Sequence, residues 1–501
     1  MSMETRGVTR PMALQELEDL SDREERTARD RLADHHRQTL WIPWTLVLLG
    51  LWLVLAPFTF GYGNPELWAD PSGGRGVWFA SEATYTSLRA SLMTWSDVVS
   101  GALLVVLGWR ALKPDRPITM WAACGVGVWL LFAPVVLWSP TSAAFLNDSL
   151  VGLLVIALTI LIPGMPNMVA FMQMGPPTPP GWSYNPSSWS QRWILIALGF
   201  AGLVISRYLA AFQLGYLDRV WDPVFGFGSG TEPVLNSQMS HLWPISDGGL
   251  GAVAYSLEFL MGFMGGPSRW RTMPWMVAMF GILVIPLGLA HIGLVMSQPA
   301  VVHNWSLLAL LAAAVMLPMI TLTVDEVVAM GQHMRQAIRR GDRGGSAWKV
   351  FWLGGTAEGC TPDDRTPAIA EFSDRPATVV HASLWGASAP LGLVGSILLG
   401  LWLLAAPSVF GVDIHTGAAD VAHIGGAVVI VISAISLGEV VRAFRYLNLA
   451  AAAGIVATLA VTGPGAGYAA AIVASAIAVA VLSLPRGPIL ESYGSWDRLI
   501  R

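Results

Sequence analysis

Thiols are nearly missing from this chain: its 501 residues hold two cysteines, Cys124 and Cys360. They lie far apart, and no CxxC pair occurs, which argues against a disulfide framework, a cysteine zinc site or an internal dithiol relay. Charge is scarce as well. Only 12% of residues are charged, where an ordinary soluble domain carries about 25%. The net charge of -4 and the lack of a basic stripe with interleaved aromatics argue against a nucleic-acid partner. Walker, dinucleotide, HExxH, nucleophile-elbow and haem-attachment signatures are absent. So is a secretory signal: residues 15–37 are dense in both charge signs, which predicts a cytosolic, partly helical tail over 1–39.

What the chain has is apolar length, with 54% of residues hydrophobic. A spanning helix needs roughly 20 mainly apolar residues, because lipid offers the backbone no hydrogen-bond partner. Twelve segments qualify, near 40–60, 95–112, 118–137, 146–167, 192–213, 247–265, 274–296, 304–328, 384–406, 418–438, 446–462 and 466–484. They predict an all-α polytopic membrane protein, arranged 4+4+4.

Basic residues fix the expected orientation. With twelve spans, the N-terminal tail, Arg110, Lys113, Arg116, Arg269, Arg271, the 331–383 linker, Arg442, Arg445 and the 485–501 tail all fall on one side. The other side keeps only Arg75, Arg89 and Arg219. By the positive-inside rule, both termini are expected in the cytoplasm, and residues 214–246 outside. The expected setting is a bacterial inner membrane, with the lipid bilayer as the one certain partner.

A motif recurs three times: Gly50-x-Trp52-x-x-x-Ala56-Pro57, Gly127-x-Trp129-x-x-x-Ala133-Pro134 and Gly400-x-Trp402-x-x-x-Ala406-Pro407. Each copy is followed by an acidic or amide residue, Asp97, Asn147 with Asp148, or Asp420, and then by Gly101, Gly152 or Gly425. Glycine allows close helix approach, proline tolerates a helix terminus, and Asp or Asn is expected to cap the next helix. The unit is a two-helix hairpin. These hairpins resemble SPW-repeat membrane domains, with Trp138-Ser139-Pro140 as a permuted signature, and the resemblance implies such domains over 40–170 and 384–484.

Residues 190–330 leave that pattern. Trp193 to Gly199, Ser206-Arg207-Tyr208-Leu209, then Ser237, Gly251 and Tyr255 at intervals of 14 and 18, and Asn304-Trp305-Ser306 resemble the vitamin K epoxide reductase family. The resemblance implies a four-helix bundle with a long outer loop. It also implies a quinone or isoprenoid pocket, for which we expect Ser237, Tyr255, His303, Trp305 and Ser306. The family's sulfur chemistry does not carry over. Ser306 and Ala309 occupy its CxxC positions and Thr231 its second loop cysteine, and a hydroxyl cannot replace a thiolate in exchange.

Three ionisable residues, Arg207, Glu258 and His291, are placed inside helices five, six and seven. At that depth they are either functional or paired, Arg207 with Glu258, to hold the bundle. His241, Asp247, His303 and Asn304 are too scattered for a metal site, so none is expected, and His35, His36 and His333 read as cytosolic surface. The leading function is a quinone-binding domain without its own dithiol cycle. The alternatives are an oxidoreductase using a partner's thiols and a transporter or lipid-handling scaffold.

Overall fold

The computed structural model describes residues 36–70, 82–113, 117–161, 177–224, 226–227, 230–241, 244–367 and 375–500. The charged N-terminal segment before residue 36 lies outside the described residues, as do Arg75 and Arg116.

Long helices dominate: α1 Trp41–Thr59, α2 Glu82–Ala111, α3 Pro117–Val136, α4 Ser142–Leu161, α5 Trp189–Gln213, α6 Asp247–Phe263, α7 Pro274–Val301, α8 Leu307–Arg340, α9 Leu391–Phe410, α10 Gly417–Ile435, α11 Leu447–Thr462 and α12 Ala466–Ser483. Among the described residues, eleven helices are long and apolar enough to cross a membrane. The remaining long helix, α6, has 17 residues. The chain is an all-α polytopic membrane protein. Outward positions agree: Leu48, Phe58, Trp95, Val106 and Leu398 are exposed, as side chains facing lipid should be.

The repeat proves to be a backbone contact. A Cβ on Gly50 would lie 2.6 Å from the Gly101 carbonyl, and one on Gly101 2.5 Å from that of Gly50. Gly127 and Gly152 meet in the same way, at 3.0 and 2.8 Å. In the third copy the partner is Gly426 rather than the expected Gly425: Gly400 meets the Gly426 carbonyl at 2.8 Å, while Gly425 faces Ile455. Each contact brings the two helices of a hairpin to backbone distance.

The expected capping role of the acids is corrected. Thr141 caps α4 and Thr416 caps α10. Asp97 lies well inside α2, which starts at Glu82. Threonine suits these caps because its hydroxyl reaches back to a free N–H, leaving the acids to project sideways between helices.

One apolar core lies among α1–α4, around Ile42, Leu53, Leu104, Leu130 and Val155. Another lies among α9–α12, around Leu403, Ala422, Ile455 and Val479. Between them, α5–α8 share one core with α3 and α4 through Leu131, Val135, Leu260 and Val277. They share another with residues 182–184, 435–441 and 493–500.

Helix ends gather at two poles. One carries the 214–246 segment, here the loop pole. The other carries the linker after α8, here the linker pole. At the loop pole, Trp138 donates its indole N–H to the Pro244 carbonyl at 2.8 Å, and Tyr216 donates to that of Ser139 at 2.7 Å. The Trp-Ser-Pro turn thus fastens the first bundle to the middle one.

The linker pole is more ordered than a tail and linker would suggest. α8 runs to Arg340 rather than ending near 328, because its last turns pack inward. His333, expected on the surface, is buried edge-on to Trp270 with ring centroids 5.2 Å apart. Arg269 clamps Glu326 at 2.5 and 2.6 Å, and Ser187 also donates to Glu326. Arg192 donates to the carbonyls of Gly262, Met264 and Gly265 at the end of α6. The C-terminal segment is bound as well: Tyr493 donates to Glu439 at 2.9 Å, and Arg365 grips Glu491 at 2.5 and 2.7 Å.

Candidate functional site

α5 and α6 pack antiparallel with little room between them. A Cβ on Gly202 would lie 2.3 Å from the Tyr255 ring, one on Gly248 2.9 Å from the Ala210 nitrogen, and one on Gly262 2.5 Å from Ile196. Glycine at these three positions sets the register and lets Tyr255 lie flat against α5.

The loop pole is built around three polar anchors. Gln213, at the end of α5, donates to Asp247 at 2.5 Å and to Ser240 at 2.6 Å, and accepts from Ser246 at 2.6 Å. Glu232 accepts the Val220 N–H at 2.9 Å, and Tyr208 accepts that of Trp221 at 2.8 Å. The third anchor joins the loop to α8. Ser306 caps α8 by accepting from the Ala309 N–H at 3.1 Å, and its own hydroxyl donates to Thr231 Oγ1 at 3.1 Å. Thr231 donates in turn to Asp222 Oδ2 at 3.4 Å. All three groups are buried. Burial also pushes the Tyr216 phenol upward, with the Ser139 contact opposing it.

The expected site residues divide between two neighbourhoods. Tyr255 and Ser306 face the bundle interior. The Tyr255 hydroxyl donates to the Ala312 carbonyl at 3.0 Å, and its ring meets His291 of α7 edge-on at 6.3 Å. His303 and Trp305 face α9–α12 instead: His303 lies 4.3 Å from the His415 ring, and Trp305 stands edge-on to His423 at 5.5 Å. Ser237 turns back to the Val234 carbonyl at 2.7 Å. None of these five side chains bonds or stacks with another.

Arg207, Glu258 and His291 lie inside α5, α6 and α7. The paired alternative for Arg207 and Glu258 is not what forms. Arg207 sits over the Phe145 ring at 4.7 Å, and both Glu258 oxygens are buried without a hydrogen-bond partner. The helix register explains this. Gly251 packs on Ser206, and Gly199 packs on Phe259, so Glu258 lies about 10 Å along the axis from the level of Arg207.

Residues 193–324 match the profile of the Vitamin K epoxide reductase family. The chain carries a domain of that family. Upstream, residues 72–162 match the SPW repeat domain. No curated protein and no solved structure matches the chain.

The matched residues 193–324 take in most of α5, the loop pole, α6, α7 and the first half of α8. Both cysteines of the chain are free, Cys124 buried in α3 and Cys360 half-buried at the linker pole. Burial pushes the Cys360 thiol up, opposed by Arg271 and Arg340. Among the described residues, no group of three His, Cys, Asp or Glu could hold a metal ion.

The sequence reading passed over Asp222, Gln213, His415 and His423. A pattern was available for Gln213 alone, an amide closing a long apolar helix. The two histidines belong to a different repeat, and nothing local announces that they meet α8.

Proposed function

We propose that α5–α8 bind a quinone or isoprenoid inside the bundle, without a dithiol cycle of their own. The observation that carries this reading is the hydrogen bond from Ser306 to Thr231, a hydroxyl pair where the resemblance places family sulfurs. A dithiol reduces a quinone by losing two S–H protons and two electrons and forming one S–S bond. Two hydroxyls have no corresponding product.

The interior supports the binding half of the reading. His291 Nδ1 and both Glu258 oxygens are buried and find no partner among the described residues, and both residues adjoin Tyr255. A quinone carbonyl accepts hydrogen bonds, and an imidazole N–H or a protonated carboxyl is a fitting donor. In this reading Tyr255 lines the interior wall, Ser306 stands at the head of α8, and Ser237, His303 and Trp305 border the loop pole. We read the assembly as 4+4+4, with α5–α8 between two SPW-type units and α9–α12 related to the first by motif alone. The membrane is a bacterial inner membrane, and both termini face the cytoplasm.

Mass spectrometry of the lipids that co-purify with the full chain tests this. A bound quinone or isoprenoid is expected, lost in Tyr255→Ala. Its absence overturns the reading. A second arm compares the parent with a Cys124→Ser, Cys360→Ser variant in dithiothreitol-driven quinone reduction. Equal, background-level rates are expected, and turnover by the parent alone refutes the absent dithiol cycle. Equal turnover by both chains, sustained by a separate thiol protein, returns the oxidoreductase that borrows a partner's sulfurs.

A further inference from the structure

The first bundle has an approximate two-fold relation that α1–α4 express in their side chains. Trp52 of the first hairpin donates to Asn147 of the second at 2.7 Å. Trp129 of the second hairpin donates to Ser96 of the first at 2.9 Å. Ser96 and Asn147 each stand one residue before an aspartate, Asp97 or Asp148, and each aspartate stands four residues before the glycine of its hairpin contact. The exchanged tryptophans therefore bring the two aspartates to the axis between the hairpins.

There they meet. Asp97 and Asp148 are both fully buried, and their carboxyl groups are close enough to act on each other. Tyr62, just beyond α1, donates to Asp97 Oδ2 at 3.0 Å, and Asn147 donates to Asp148 Oδ1 at 3.3 Å. The remaining oxygens, Asp97 Oδ1 and Asp148 Oδ2, find no N–H or O–H donor among the described residues. Two neighbouring buried carboxylates repel each other when both are ionised, and one proton shared by the pair relieves that repulsion.

The surroundings supply no substitute for that proton. On α2, Arg89 is turned to the Ala69 carbonyl at 2.6 Å. From α5, Arg207 lies over Phe145. The segment after α5 contributes the neutral phenol of Tyr216, committed to Ser139. Among the described residues, α3 has no acidic or basic side chain near its loop-pole end. Among the described residues, no Lys or Arg pairs with either aspartate.

An open cleft lies nearby. Trp68 donates to the Tyr62 carbonyl at 2.7 Å, and Trp68 lines an open cleft of about 270 Å³ with Gly63, Ala90, Ser91, Thr94 and Trp95. Thr94 is one turn above Asp97 on α2. Tyr62 thus stands between the cleft and the acid pair.

We propose that Asp97 and Asp148 form a proton-binding site that holds one proton between them and exchanges it with the loop-pole cleft through Tyr62. The site belongs to the first bundle alone. In α10 the position four residues before the contact glycine, Gly426, is Ala422, so α9–α12 keep the helix contact without its acid. A proton held on a repeat axis gives the hairpins a titratable joint: its loss places two negative charges together in an apolar bundle and drives α2 from α4.

Infrared difference spectroscopy during pH titration of the full chain in lipid vesicles tests this. One titrating carboxylic-acid C=O signal is expected, altered by Asp97→Asn and by Asp148→Asn and unaffected by Glu258→Gln. Tyr62→Phe removes a donor to the carboxylate and is expected to raise the midpoint of that same signal. Because it deletes one oxygen, it keeps the test meaningful if either Asn variant fails to fold. A signal indifferent to both aspartates overturns the proposal. So does a midpoint that falls by about one pH unit for each tenfold rise in sodium over choline, since the ligand would then be a metal cation.

Discussion

The Ser306 hydroxyl donates to Thr231 across 75 residues of sequence, at 3.1 Å, and this one bond ties the loop pole to the head of α8. Its two oxygens stand where sulfur atoms would stand in a Thr231→Cys, Ser306→Cys variant. Their separation implies Cβ atoms close to the roughly 3.5–4.5 Å a disulfide spans. We expect the double variant, built in a Cys124→Ser, Cys360→Ser background, to cross-link under mild oxidation. Peptide mass mapping without reductant reads the bond. Persistent free thiols in a folded protein would show that the loop does not sit on α8.

The glycine contacts predict a graded series. Gly50→Ala and Gly101→Ala place a methyl about 2.5 Å from a backbone oxygen, and overpacking of this kind costs about 1–3 kcal/mol. Gly454→Ala meets nothing within 4 Å and should gain about 0.5–1 kcal/mol from helix propensity. Thermal unfolding in detergent should therefore separate the two classes, with Gly454→Ala at or above the parent. Equal melting of all three would remove the close hairpin contact.

Acid should loosen the C-terminal segment. Burial alone would raise the Glu491 carboxyl, but the Arg365 guanidinium and the Ser183 hydroxyl outweigh it and hold the group below the usual carboxylate range. A depressed carboxyl contributes stability that is present above its unfolded value, near about 4.3. That stability fades as pH falls through the lower folded value. Hydrogen exchange in residues 488–497 should accelerate across that window, and Arg365→Ala should show fast exchange already at pH 7. Unchanged protection in Arg365→Ala would mean that the ion pair does not hold the segment.

Orientation follows from the basic residues and is open to direct test. Gln238 at the loop pole and Lys349 at the linker pole are both exposed. Cysteines placed there in the cysteine-free background should react with an impermeant maleimide from opposite sides of the membrane. Gly230 is unsuitable for this purpose, since its Cβ would lie 2.3 Å from the Trp305 carbonyl. Labelling of both sites from one side would refute the assigned topology.

The polytopic helical character was legible because lipid demands apolar length, as in the long apolar runs around Leu51, Leu131 or Leu399, although eleven rather than twelve helices among the described residues are long and apolar enough to span. The repeat was legible down to its glycines, apart from the one-residue shift to Gly426, which neighbouring glycines cannot settle. The inward turn of α8 was not. His333 reads as surface until Trp270 is seen to cover it, and nothing local announces that Tyr184 and Arg269 meet Asp325 and Glu326. The acid pair was hidden for a related reason. Asp97 and Asp148 each look like a cap beside its own hairpin, and only the exchanged tryptophans show that they share an axis. Long-range polar pairing leaves no period in the sequence.

The linker pole also bears on how the protein is made. Glu439 accepts the Leu490 and Glu491 N–H groups and the Tyr493 hydroxyl, Gln332 bonds Tyr493, and Ser183 bonds Ser492. Synthesis is vectorial, and earlier parts of a chain fold first. Every helix has therefore left the ribosome before these acceptors and donors find their partners. For much of translation, the floor of the middle bundle stands open to any binding chaperone, and residues 490–493 are the stitch that closes it.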